Sequence, residues 1–222
     1  MDFTIALTVL IVFLPIMLVI AIIIKIDSPG PVIFKQIRVG KDRRKNNRGN
    51  SQLKNDGSDI RLERRNEKGG RPFVFYKFRT MYVDARERFP ELYRYEYTNE
   101  EIKNYYFKIA DDPRLTRIGM HLRKTTLDEL PNLINVIMGD MGLVGPRPDI
   151  PEMIKYYKGW QKKKFLLNPG VTGLAQVNGR GLLSFQETLK NDIEMVEQYG
   201  LWFNIRILLK TIKVTIFRIG AF

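Results

Sequence analysis

From Phe3 to Ile24 the chain carries no charged residue, and this run constrains everything that follows. As a helix it would be roughly 33 Å long, close to the thickness of a bilayer's hydrocarbon core. No basic residue precedes the run and no small-residue cleavage site follows it, so it reads as a retained segment rather than a signal peptide. Pro15, near the middle, removes a backbone donor and crowds the carbonyl of Ile11, which predicts a break there. Two topologies fit: a kinked helix that spans the membrane, or a re-entrant helix that turns at Pro15 and leaves on the side it entered. Lys25 and the basic stretch beyond it place the C-terminal flank in the cytoplasm under either reading.

The expected division is a membrane helix over residues 1–26, broken at Pro15, and a membrane-surface domain over 27–222. Asp27-Ser28-Pro29-Gly30-Pro31 reads as a turn, and Val32-Ile33-Phe34 starts a strand. Lys35 to Arg71 holds thirteen Lys and Arg against five Asp and Glu, with few large apolar residues. The reading is a mobile basic loop over 41–71. It lacks the aromatics that interleave charges in single-strand nucleic-acid sites, so anionic lipid is the expected partner and nucleic acid is not. Phe73 to Met81 reads as a core strand with Lys77 and Arg79 on one face. Val83 to Asp111 reads as a charged, tyrosine-bearing helical excursion into solvent. Leu201 to Phe217 places Arg206, Lys210 and Lys213 at helical spacing, which suits either a membrane-interface helix or an amphipathic helix packed on the core. The fold class expected is α+β, mainly helical, with a small β element and interfacial amphipathic helices.

The net charge of +13 favours anionic partners. With no cysteine, thiolate nucleophiles and cysteine-ligated metals are excluded, and the single His121, read as a surface or structural residue, leaves no room for two-histidine zinc motifs. Catalysis would have to use carboxylates, Arg, Lys and oxygen-liganded metal. Thr126-Leu127-Asp128-Glu129 has the spacing of a capping box, with Pro131 tolerated only near a helix start. Two readings stand: Glu129 closes a cap beside an incidental Asp128, or the pair faces a phosphate at a helix N-terminus. Arg114, Arg117, Arg123 and Lys124 lie just upstream. Downstream, Gly139-Asp-Met-Gly-Leu-Val-Gly-Pro-Arg147-Pro148 could present an arginine fork to phosphate, and a third glycine-punctuated loop ends in Arg180. Neither is a Walker loop.

Taken in order, Lys-Phe-Arg-Thr-Met81, the run from Arg123 through Asp128-Glu129, the Gly139–Pro148 loop and Pro169-Gly-Val-Thr-Gly-Leu-Ala-Gln-Val-Asn-Gly-Arg180 closely resemble the bacterial sugar transferases, the monotopic polyprenyl-phosphate phosphoglycosyl transferases. The resemblance implies transfer of a sugar phosphate from a nucleoside diphosphate sugar, commonly a UDP-sugar, to polyprenyl phosphate at the cytoplasmic face of the bacterial inner membrane, with Mg²⁺ as cofactor. It implies Asp128 as nucleophile and metal ligand and Glu129 as its dyad partner, in acceptor activation or metal support. It also implies substrate contacts from Arg147, Arg180, Arg123 and Gln176, and more weakly from Lys77 and Arg79. The chain departs from the family pattern at Leu14-Pro15, where a Ser-Pro pair is usual, at Leu174, where Trp is frequent, and in lacking basic residues before the helix. The competing reading is a non-catalytic membrane tether binding anionic lipid or nucleic acid. That reading accounts for the charge and the anchor but not for the three loops.

Overall fold

The computed structural model describes residues 1–42, 70–109 and 111–217, with Arg180 described by its backbone alone. The mobile basic loop expected over 41–71 therefore falls almost wholly outside the described residues. What is described is mainly helical, with two small sheets.

Helix α1 is one element over Asp2–Asp27, with Pro15, the site of the expected break, inside it. Proline removes one hydrogen bond, and the helix is continuous on both sides of it. It is the one helix among the described residues long and apolar enough to cross a membrane. Strand β1, Ile33–Val39, pairs antiparallel with β2, Pro72–Phe78, in the register Phe34 to Lys77 and Arg38 to Phe73. Cross-strand partners share a face, and residues two apart on one strand do so too. Phe34, Arg38, Phe73, Phe75 and Lys77 therefore look the same way. Val83 to Asp111 is not the helical excursion expected. Its described residues hold short turns, α2 at Ala85–Arg88, a 3₁₀ turn at Pro90–Tyr93 and α3 at Asn99–Lys103, and Tyr95, Tyr97, Tyr105 and Phe107 pack on the cluster that contains Ile154 and Phe185.

Helix α4, Arg117–Thr125, is capped by Thr116, whose Oγ1 accepts from Gly119 N at 3.0 Å. A 3₁₀ turn, Leu127–Glu129, joins it to α5, Asn132–Ile137. Asn135 of α5 is fully buried: its Oδ1 accepts from Tyr76 N at 3.1 Å and its Nδ2 donates to Val74 O at 2.6 Å. The side chain substitutes for a neighbouring strand along β2 and so fixes α5 to the hairpin.

The two glycine loops meet. Strand β3, Gly142–Val144, pairs in parallel with β4, Gly170–Thr172. A Cβ on Gly145 would lie 2.2 Å from Asn168 O, and one on Gly170 would lie 2.0 Å from Gly145 N. These two glycines permit close backbone approach rather than cradle a ligand. Helix α6, Leu174–Asn178, follows β4, and α7, Phe185–Gln198, starts with a Ser184/Glu187 capping box. The last helix, α8, is Leu201–Ile216. Ala6, Val9 and Leu10 of α1 pack with Leu133, Val136, Leu143, Ile207 and Val214 in one apolar cluster, while Ile20 and Ile24 pack with Phe78 and Leu122 in another.

Candidate active site

Asp128 sits in the Leu127–Glu129 turn and is 6% exposed. The turn is not the capping box that the spacing predicted. Thr126 has φ 64° and ends α4, and Glu129 N donates to Thr126 O at 3.1 Å. The left-handed Thr126 reverses the chain tightly enough to place both carboxylates side by side ahead of α5.

They border a cavity of about 450 Å³ lined by both charged and apolar side chains. Arg38, Lys77, Lys108, Arg123 and Arg147 surround the carboxylates, whereas Val9 and Phe13 of α1, Leu133, Val171 and Val214 of α8 form an apolar wall. Lys77 reaches the cavity because it lies on the same strand face as Phe75. Arg79 does not: past the end of β2, its Nη1 donates to Pro29 O at 2.6 Å and its Nη2 to Ser28 O at 2.7 Å. It ties down the turn after α1, and the expectation that it accompanies Lys77 at the site fails because strand alternation ends at Phe78.

Arg123 does join the dyad. Asp112, 5% exposed, accepts from Arg114 Nε and Nη2, both at 2.8 Å, and from Arg123 Nη1 at 3.4 Å. Burial opposes the charge of Asp112, but the Arg114 bonds hold its carboxyl below the usual value. Arg147 pairs with Glu129 at 3.6 Å. Gln176 lines the cavity; its Oε1, with Arg38 Nε, is among the buried polar atoms that have no protein partner among the described residues. Unsatisfied polar atoms at a cavity wall are suited to a polar ligand. The Arg180 side chain lies outside what is described. His121 is exposed on α4, as a surface residue should be.

The cations divide between the two carboxylates. Burial raises Asp128 above the ordinary aspartate value; Lys77 opposes this most strongly, Glu129 adds to it, and Arg123 and Lys108 oppose it. Burial likewise lowers Lys77 to about 8, against the attraction of Asp128. Arg38 is lowered to about 10, by burial and then by Arg147. One corner thus groups Lys77, Arg123 and Lys108 around Asp128, and an adjoining one groups Arg38 and Arg147 around Glu129, with Lys77 also acted on by Arg38 and Arg123 by Arg147. A ligand with two linked anionic groups matches this layout.

Behind the second corner lies a buried network that the sequence reading missed. Lys164 Nζ donates to Asp149 Oδ2 and Asp192 Oδ2, each at 2.6 Å, and Tyr157 OH donates to Asp149 Oδ2 at 2.5 Å. Next to Asp149, Arg38 Nη1 donates to Pro148 O at 3.1 Å. Burial works against the Lys164 charge, but the two carboxylates outweigh it and hold its pKa well above the ordinary lysine value. Arg38 was also missed, having been counted with the basic loop. Its two-residue spacing from Gln36 and Phe34 was the available signal.

A family model described as bacterial sugar transferase matches residues 1–47 and 51–218. The chain is 36% identical over 221 residues to a UDP-galactose-lipid carrier transferase of Erwinia amylovora, covering 100% of this chain and 40% of that protein. It is 32% identical over 219 residues to the UDP-glucose:undecaprenyl-phosphate glucose-1-phosphate transferase of Escherichia coli K12, covering 95% and 38% respectively. With EpsL of Bacillus subtilis, an uncharacterized sugar transferase, identity is 30% over 191 residues, covering 86% of this chain and 73% of the relative. The chain thus spans about two fifths of the length of the first two proteins.

Proposed function

The chain belongs to the bacterial sugar transferase family, and on that premise we propose that it transfers a sugar phosphate from a UDP-sugar to polyprenyl phosphate through a covalent intermediate on Asp128. The observation that carries this reading is one cavity that joins a buried carboxylate and five cations to apolar side chains of α1 and α8. A soluble diphosphate suits the charged lining, and an isoprenoid phosphate suits both kinds of lining.

In the first half-reaction an Asp128 carboxylate oxygen bonds to the sugar-bearing phosphorus. The bond from that phosphorus to the bridging oxygen breaks, and the nucleoside monophosphate leaves with the electron pair. In the second half, a phosphate oxygen of the acceptor bonds to the same phosphorus and the Asp128–phosphorus bond breaks, restoring the carboxylate. Lys77, Arg123 and Arg147 offset the charge that gathers as anion meets anion. Gln176 and Arg180 contact the donor, and Glu129, held by Arg147, positions the acceptor phosphate or supports the metal.

The donor set fits Mg²⁺. Adjacent Asp128 and Glu129 offer hard oxygen ligands, and among the described residues no group of three or more His, Asp or Glu forms a closed metal cage. That matches an ion held by one or two carboxylates and substrate phosphates. Asp128 would hold it, and when bound it supplies charge neutralisation between the carboxylate and the diphosphate.

The membrane placement has its own support. Asp2 Oδ2 accepts from Leu143 N at 3.1 Å, and Asp27 Oδ2 accepts from Ile118 N at 3.4 Å, so both ends of α1 rest on the same domain. A helix about 39 Å long running perpendicular to the membrane would carry one end far from that surface. This favours the re-entrant, one-sided arrangement, on the cytoplasmic face given the basic stretch after α1. Trp202, Leu209, Ile212 and Ile216 are exposed on α8 beside Arg206, Lys210 and Lys213, which suits an interfacial helix.

Incubation with a panel of UDP-sugars and Mg²⁺, without lipid, should add a phosphosugar mass to the protein, and Asp128→Asn should abolish it. Absence of any adduct across the panel, with no nucleoside monophosphate released when polyprenyl phosphate is added, would overturn the reading.

A further inference from the structure

The strap at residues 104–109, within the Val83 to Asp111 segment, reaches the cavity through Phe107 and Lys108. Phe185 N donates to Tyr105 O at 2.7 Å, and Tyr106 bridges Ser184, so the strap is bonded to the start of α7. Phe107 packs between Tyr105 and Phe185, with ring centroids 5.4 and 6.1 Å away. These contacts hold the next residue, Lys108, at the cavity wall, half-buried.

Its stem lies on Gly181. A Cβ at position 181 would meet Lys108 Cδ at 2.3 Å, Cγ at 2.9 Å and Cβ at 3.0 Å, so the glycine gives the lysine its course into the cavity. The ammonium acts electrostatically on Asp128, as do Lys77 and Arg123. Two elements distant in sequence, the strap and the 3₁₀ turn Arg180–Leu182, thus share the placing of one cation in the cavity that Asp128 also lines.

We propose that Lys108 is a substrate-contacting residue that, with Lys77 and Arg123, binds the phosphate group transferred through Asp128. The proposal rests on the transferase reading above and extends it to a residue outside the motifs. Because the same phosphorus is bonded to Asp128 in both half-reactions, Lys108 serves both: it steadies the oxygens of the sugar-bearing phosphate as the nucleoside monophosphate departs, and again as the acceptor phosphate attacks. A charged donor aimed at those oxygens is strongest where water is excluded.

The test uses the full chain in membranes or detergent, with Mg²⁺, the UDP-sugar active with the unsubstituted protein, and polyprenyl phosphate. Lys108→Met keeps the stem over Gly181 and removes the charge. It should slow both adduct formation and adduct discharge about 10- to 100-fold, chiefly in kcat, as loss of one charged transition-state donor does. Lys108→Arg should recover part of the rate. Gly181→Ala should slow both steps by displacing the lysine, and should add little further loss to Lys108→Met, because the two substitutions act on one interaction. Unchanged rates of both half-reactions in Lys108→Met would overturn the proposal. So would losses in the Met and Arg variants that are equal and track a lowered melting temperature, since that pattern belongs to a packing role. If the unsubstituted protein forms no adduct with any donor, the transferase reading itself fails. An adduct that forms at the same rate with Met at position 108 rejects the Lys108 role alone.

Discussion

Asp128 is costly to keep ionised where it sits. Asp128→Asn should therefore abolish adduct formation, by at least about 10³-fold in rate, while leaving the melting temperature unchanged or higher, because a buried carboxylate is exchanged for a neutral isostere. The pH dependence follows from the same burial. Asp128 is raised, so the nucleophile is lost on acidification through a value above the ordinary aspartate range; Lys77 is lowered to about 8, so its ammonium is lost as pH rises through that value. kcat/KM for the donor should trace a bell with its alkaline limb near 8. Lys77→Arg, which stays charged, should move that limb to higher pH; a limb that stays put assigns it to another group. The carboxylates could be found in the sequence from their neighbours but not from their own spacing. Thr126 and Glu129 have the spacing of a cap, yet the left-handed Thr126 makes a reversal that spacing alone does not reveal. Arg79 misled for a related reason: alternation predicts a face only while the strand lasts.

At the scale of elements, the sequence was readable where one segment settles its own fate. β1 followed from the apolar start at Val32-Ile33-Phe34, β2 from its apolar and aromatic density, α1 from its uncharged length, and α8 from its period. Pairings between distant segments were not readable. Nothing local tells Lys164 that it will meet Asp149 and Asp192, or Asn135 that it will stand in for a strand, because such partners are chosen by the packing of the whole chain. Lys164→Ala would leave two carboxylates buried without their cation and should destabilise the protein by about 3–5 kcal/mol. Thermal unfolding measures that loss, and a change of under 1 kcal/mol would show that water reaches the network. Arg79→Ala would leave the Ser28 and Pro29 carbonyls without their donor at about 1–3 kcal/mol. Limited proteolysis should then cut first near residues 28–31.

For the whole molecule, the question is which side of the bilayer each end of α1 occupies. A cysteine at position 2 should react only with a reagent supplied from the side of the catalytic domain; the chain has no other cysteine to confuse the readout. Labelling from the opposite side would mean that α1 crosses. The bond from Leu143 N to Asp2 joins residues 141 apart, and Leu133, Val136 and Leu143 complete their cluster only with Ala6, Val9 and Leu10. In biosynthesis, then, the helix leaves the ribosome long before the segments that will cover its inner face, and the bilayer alone shelters it meanwhile. The converse holds for the rest of the chain: a fragment starting at residue 28 would be born with an open seam along α5 and β3. Such a fragment should clump or require detergent even though its carboxylates and cations are all present, so anchor and catalyst are inherited as one folding unit and neither can be exchanged without the other.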